Sequence, residues 1–332
     1  MNRVIAYGCF LALITLTAQA SQAAWQPHVL VVAPVTEPII SEVVRGIGKT
    51  STLLNVGQSL HHKGFTPGQI TRLNAAEVIV AIDKNIAPAL TKLLTERAKK
   101  GASVIYLSEL DGAEPLAYRA ENPFLSAGEV DAHHEEHEGE EHHHHHHHKK
   151  TNDPHLWLDP LRIANLLPAL TDKLGDYWPE QRANFAHNAT RYALHLRAEV
   201  QPGISNIIAA AKQRQSDSSK AVPVMTYHDA YQYFQKRYGL EAGYITQRPE
   251  EYQGAKTMKQ LLEKANKTHV RCIFSETSNH HVKRIAELSQ ADVVTLNPER
   301  PYTSNEVPFT AWASNGYERM LLMVAKAYAR CL

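Results

Sequence analysis

"EVIVAIDKNIAPALTKLLTERAKKGASVIYLSE", Glu77 to Glu109, decides the fold class. Its opening "EVIVAID" is a short run of valine and isoleucine, the pattern of a buried strand. "PALTKLLTERAKKG" then sets leucines at helical spacing and closes on basic residues and a glycine, as helix ends do. "ASVIYLSE" returns to a strand. Strand, helix and strand in succession make a βαβ unit, which implies a parallel sheet covered by helices.

The same alternation extends in both directions. Upstream, "HVLVVAP" and "TLLNVG" read as strands and "EPIISEVVRGIGK" as a helix, while Thr66-Pro67 caps the helix "TPGQITRLNAA". Downstream, the alternation stops near Pro115 and a polar segment runs to Asp153. Its histidines and carboxylates cannot build an apolar core, which implies disorder without metal. Asp159-Pro160 caps another helix, and a long helical stretch follows, weakened at Pro202-Gly203. Then "VPVMTYH", "LEAGYI", "VRCIFSE" and "DVVTLN" alternate as strands with helices up to "ERMLLMVAKAYARCL". We expect an α/β protein of two lobes, each with a mainly parallel sheet, joined by a long rigid helix. The expected boundaries are a first lobe over 25–175 with a disordered loop at 115–153, a connecting helix over 176–212, and a second lobe over 213–332.

The first residues, "MNRVIAYGCFLALITLTAQASQAAW", have the form of an export signal: Arg3, an apolar run from Val4 to Leu16, then small residues. That run is too short to span a bilayer. Residues 1–24 are therefore expected to be removed, with cleavage near Ala24, and Cys9 goes with them. Two cysteines remain, Cys272 and Cys331, and an oxidising compartment favours a disulfide between them over two buried thiols. The net charge of +1 and the absence of a basic recognition helix or stacking strip argue against nucleic acid as a partner.

Histidine is the compositional outlier, with 20 residues, 10 of them between His133 and His148. Neutral imidazole is the commonest side-chain metal ligand. His133, His134, His137, His142, His143, His144, His145, His146, His147 and His148 form an acidic, flexible collector of low affinity, or else a solvated spacer. Three other histidines fall at strand ends or helix starts: His61 in "SLHHKGF", His155 in "DPHLWLDP" and His228 in "YHDAYQYF". Singly, each reads as a capping residue. Together, in an α/β fold whose ligands lie beyond the carboxyl ends of strands, they can face one cleft. Three imidazoles with a fourth position open is a Zn²⁺ arrangement, and nitrogen ligands suit Zn, Cu, Ni or Co, whereas Mn and Mg prefer oxygen.

"SLHHKGFTPGQITRLNAAEVIVAI", "DPHLWLDP", "YHDAYQYFQKRYGL" and "CIFSET" resemble, in order, the motifs of metal-binding periplasmic proteins of ABC importers, and most closely their zinc-uptake, ZnuA-like type. The resemblance runs from about His28 to the C-terminus and includes a histidine-rich loop ahead of "DPHLWLDP". It implies two lobes on a rigid helix with the metal between them, ligand roles for His61, His155 and His228, and a cysteine pair matched by Cys272 and Cys331. It also implies a membrane permease as partner, with a periplasmic zinc chaperone as a further candidate; we expect a monomer. Two features depart from parts of the family. In "TLNPERP" Asn297 stands where manganese- and iron-type relatives carry a carboxylate, and Leu60 stands where some zinc members have glutamate. Water is therefore the expected fourth ligand, ahead of a loop histidine. Glu276, at a strand end, either orients a ligand from outside or is an ordinary helix-start carboxylate.

Other function classes fit less well. A zinc hydrolase needs a base and a substrate pocket, and Asp153, Asp159, Asp229 and Glu276 read more simply as caps or supporting groups. "RGIGKT" echoes a phosphate-binding loop, but Val43 occupies its first glycine position. A metal buffer or adhesin would explain the loop histidines and leave the strand-end histidines unexplained. High-affinity capture of zinc and delivery to a permease, without catalysis, is the expectation.

Overall fold

A computed structural model describes residues 26–61, 64–125, 151–214, 224–249, 251, 253–277, 279–308 and 310–332. The expected signal (1–24) and the loop histidines His133, His134, His137 and His142 to His148 lie outside the described residues. The first sheet comprises β1 (His28–Val31), β2 (Lys49–Thr52), β3 (Val78–Ala81) and β4 (Ser103–Tyr106), all parallel in the order β2-β1-β3-β4. The second comprises β5 (Val224–His228), β6 (Gly243–Thr246), β7 (Cys272–Ser275) and β8 (Asp292–Thr295), parallel in the equivalent order β6-β5-β7-β8. The inner strands are largely apolar because helices cover both faces, most completely in Val78–Ala81, where every residue is buried.

Helices α1 (Glu37–Val43), α2 (Pro67–Ala75) and α3 (Pro88–Lys99) serve the first lobe, and α7 (Gln232–Tyr238), α8 (Ala255–Lys267) and α9 (His280–Ser289) the second. α2 begins as expected, with Thr66 and Gln69 exchanging the two hydrogen bonds of a capping box and Pro67 in the first turn. Strand β2 differs from its reading. The strand is "KTST", and Leu53 and Leu54 lie just beyond it, their N–H groups donating to the carbonyls of Val31 and Val32. An edge strand has a neighbour on one side only and tolerates polar residues, so the apolar pair marks the way out of the strand.

α4 (Pro160–Tyr177), capped by Asp159, packs on α5 (Arg182–His195), which continues through a π-helical turn (Leu196–Val200) into α6 (Gln201–Arg214). α5 lies against α4 and α1, whereas α6 lies against α10 (Gly316–Cys331), so one helical rod serves both lobes. Pro202 and Gly203 do not break it. Pro202 offers no N–H to the carbonyl of Ala198 and crowds it, and the wider turn upstream absorbs that misfit, with the Gln201 N–H reaching back to Leu196. Gly203 is required for contact: a Cβ there would sit 2.3 Å from the indole nitrogen of Trp312. Among the described residues no helix is long and apolar enough to cross a membrane.

The expected disorder over 115–153 is corrected at both ends. Ala117 bridges Asn152 in antiparallel fashion, and the chain then runs as a strap onto the second lobe. There Asn122 pairs through its amide with both the carbonyl and the N–H of Tyr244, and Phe124 is buried against Met225, Ile245 and Ile273. A Cβ on Gly243 would lie 2.2 Å from the Phe124 ring, so the strap fits only because β6 begins with glycine. The apolar content of "PLAYRAENPFL" is what the composition of the whole polar segment concealed.

Cys272 and Cys331 form a disulfide, Cα–Cα 5.9 Å, that fastens the end of α10 to β7. It closes a loop with a sequence separation of 59 residues. Replacing both cysteines with serine is expected to lower the unfolding free energy by about 2–4 kcal/mol. Urea denaturation followed by circular dichroism measures this, and an unchanged midpoint would contradict it.

Candidate metal centre

Four buried side chains converge between the lobes, two from each. His61 lies on the loop after β2, and His155 on the turn that precedes α4. His228 is the last residue of β5, and Glu299 sits in the loop after β8. Their ligating atoms all lie within 4.8 Å of one another. The Nε2 atoms of His155 and His228 are 3.3 Å apart, and Glu299 Oε1 stands 3.8, 3.6 and 3.8 Å from the Nε2 atoms of His61, His155 and His228. Metal–ligand bonds of about 2.0–2.1 Å place tetrahedral ligands roughly 3.3–3.4 Å apart. The four separations given, 3.3 to 3.8 Å, approach that spacing, so three nitrogens and one oxygen are gathered at close to the separation a single bound ion needs.

Three of the donors, His155, His228 and Glu299, are braced by groups outside the cluster. Asp153 Oδ1 accepts the backbone N–H of His155 at 3.0 Å and lies 2.7 Å from its Nδ1. A proton on Nδ1 leaves the Nε2 lone pair facing the cluster. Glu276 Oε1 lies 2.9 Å from His228 Nδ1, close enough for an ion pair but without hydrogen-bond alignment. Glu299 Oε2 accepts the N–H of Leu60, the residue before His61, so this carboxylate spans the two lobes. The indole of Trp157 fixes the same loop by donating to the carbonyl of Pro298.

The structure brings His61, His155 and His228 together, as their strand-end positions suggested, and sets Glu276 behind His228. It corrects the expectation that "TLNPERP" brings no carboxylate. Asn297 turns inward on its own loop, accepting the N–H of Glu299 and donating its own N–H to the Tyr302 hydroxyl. That turn delivers Glu299 two residues later. The available signal was a glutamate flanked by Pro298 and Pro301 in a strand-end loop. His280 and His281 are exposed on α9, and His195 pairs with Glu318 at 3.3 Å; none of these enters the cluster.

Burial and charge act in opposite directions across the cluster. Burial pushes the His61 imidazole down to about 4, and the other two histidines and Arg248 add to this against the pull of Glu299. For His155 burial also disfavours the charge, but the carboxylates of Asp153 and Glu299 outweigh it and raise the group to about 10. His228 is raised in the same way, Glu276 overcoming burial. Burial alone would raise Glu299, yet the surrounding imidazoles hold it down at about 2. The metal-free cluster therefore carries protons where a divalent cation would supply the charge.

Comparison with known proteins agrees with this geometry. A sequence model of the family described as "Zinc-uptake complex component A periplasmic" matches residues 29–331. The high-affinity zinc uptake system protein ZnuA of Brucella abortus (strain 2308) is 31% identical over 277 residues, covering 78% of this chain and 80% of that one. Its counterpart in Haemophilus influenzae is 27% identical over 319 residues, covering 89% of each. A crystal structure of ZnuA superposes with a TM-score of 0.69 at 18% identity, covering 92% of this chain and 99% of that one. The periplasmic zinc-binding protein TroA of Treponema pallidum gives 0.67 at 16%, with 92% and 99% covered. A Pseudomonas aeruginosa solute-binding protein in complex with Mn²⁺, FpvC, gives 0.63 at 17%, covering 92% and 98%. The fold is thus shared by a protein described as zinc-binding and one in complex with Mn²⁺. By its match over residues 29–331 and its likeness to the ZnuA sequences, this chain belongs to the family of periplasmic zinc-uptake components.

Proposed function

We propose that this chain captures Zn²⁺ at His61, His155, His228 and Glu299 in the periplasm and delivers it to the membrane permease of an ABC importer. The observation that carries the reading is the buried set of three imidazole nitrogens and one carboxylate oxygen, all within 4.8 Å of one another. Three nitrogens favour zinc over manganese, which prefers oxygen-rich surroundings. Glu299 takes the position assigned above to water. A hydrolytic zinc site keeps that position open for its nucleophile, so the donor set favours binding over catalysis. Export after removal of residues 1–24, action as a monomer, and receipt of zinc from a periplasmic chaperone belong to the same reading. The loop histidines act in it as an auxiliary collector.

Competitive zinc titration of the mature chain lacking residues 131–150 tests the assignment. One tight site survives the deletion and disappears on His228→Ala. Glu299→Ala weakens binding by more than the roughly 10–100-fold typical of partners outside the ligand set. Loss of tight binding with the loop would place the site among the loop histidines and end this reading.

Protons report on the same centre. His155 titrates near 10 in the metal-free protein and so holds a proton at pH 7.5 that zinc must displace. His61, near 4, is neutral there and releases none. Calorimetric titration in buffers of different ionisation enthalpy is expected to show net proton release. Apparent affinity should fall as pH falls, by about tenfold per pH unit for each proton displaced. Affinity independent of pH between 6 and 8 would contradict the charge arrangement.

A further inference from the structure

Asp153 orients His155, and Asp153 is itself held from the other lobe. Its Oδ2 accepts from the side-chain amide of Gln232 at 2.9 Å, and the second N–H of that amide donates to the carbonyl of Ala117 at 3.1 Å. The hydroxyl of Tyr233 donates to the Asp153 carbonyl at 2.8 Å and accepts the N–H of Leu116 at 2.8 Å. The Asp153 N–H closes the arrangement on the Leu116 carbonyl at 2.8 Å. Gln232 and Tyr233 open α7 of the second lobe, four and five residues after His228. Asp153 is 1% exposed and His155 fully buried. Each polar atom named here on Asp153 has its partner, so the carboxylate has one orientation available to it.

We infer that Gln232 and Tyr233 are positioning residues of the metal centre, fixing Asp153 from the second lobe and, through it, the imidazole of His155. The inference rests on the zinc reading above and extends it. One helix start then governs two donors: His228 through the chain just before it, and His155 through Asp153. Any movement of α7 away from the strap removes the support of His155 while withdrawing His228. The orientation of a first-lobe ligand is thereby conditional on contact with the second lobe. Asp159, which also lies at this lobe junction, is engaged separately by Arg237 of α7, so the cap of α4 does not depend on Gln232.

The test compares Gln232→Leu, Tyr233→Phe, Asp153→Asn and His155→Ala in the full mature chain. Zinc affinity is read by chelator competition, and ligand geometry by the visible absorption of the Co²⁺-substituted protein. His155→Ala is expected to abolish tight binding. Asp153→Asn should weaken it by about 10–100-fold, as removal of an imidazole's carboxylate partner does. Gln232→Leu is expected to weaken binding about three- to tenfold and shift the Co²⁺ bands, with both effects absent when it is added to Asp153→Asn. Tyr233→Phe, which keeps the ring and loses both hydrogen bonds, should act in the same direction if Gln232→Leu is poorly folded. Unchanged affinity and Co²⁺ spectra in both variants, in a protein whose site is lost with His155→Ala, overturn the inference alone. Tight binding that survives His155→Ala overturns the zinc-site assignment beneath it.

Discussion

A buried carboxylate needs a positive partner, and Glu299 is the point where that requirement shapes this molecule. Only 5% exposed, it cannot hold its charge unless cations or proton donors surround it. Three imidazoles meet that need from two loops and a strand end, and a backbone N–H beside one of them takes the second oxygen. The arrangement works only while both lobes are present, because neither brings enough donors alone. The helical rod, the strap and the contact of Trp157 with Pro298 can be understood as the scaffolding that keeps those loops within a few ångströms of one another.

Much of this was legible in the sequence, for physical reasons that differ by element. The inner strands announce themselves because a parallel sheet covered on both faces needs apolar runs, as in "VIVA" and the first three residues of "CIFS". His61, His155 and His228 were recognisable because strand ends in such folds point to one edge. Glu299 was missed because the reading looked for an acid at the position of Asn297, whereas a loop that turns back on itself presents a residue two places later. The strap was missed because averaging over 115–153 let histidines and glutamates outweigh Phe124 and Leu116. Only the contact with Gly243, more than a hundred residues away, reveals why Phe124 is ordered. β2 shifted because an edge strand is governed by its single neighbour more than by its own apolar content.

The polar contacts between the lobes are as informative as the apolar core. The core itself runs continuously across the lobe boundary, from Val29 in β1 to Tyr328 in α10. Hydrophobic burial of that extent sets the lobes in contact without specifying a register between them. Register comes from directional groups: the amide of Asn122 on Tyr244, the hydroxyl of Tyr317 on the Trp157 carbonyl, and the guanidinium of Arg237 on Asp159. A donor cluster accurate to tenths of an ångström needs that directional layer on top of the apolar one.

The two sheets share one strand order, and each lobe contributes two of the four donors. This even division bears on the kinetics of exchange. An ion held by four ligands on one rigid body leaves by successive single-bond ruptures, each readily reversed by the remaining three. With the ligands split two and two, parting of the lobes halves the denticity in a single event and exposes a two-coordinate ion to competing ligands. For an ion held there, equilibrium tightness follows from the closed cluster and lifetime from how readily the two halves of the donor set separate.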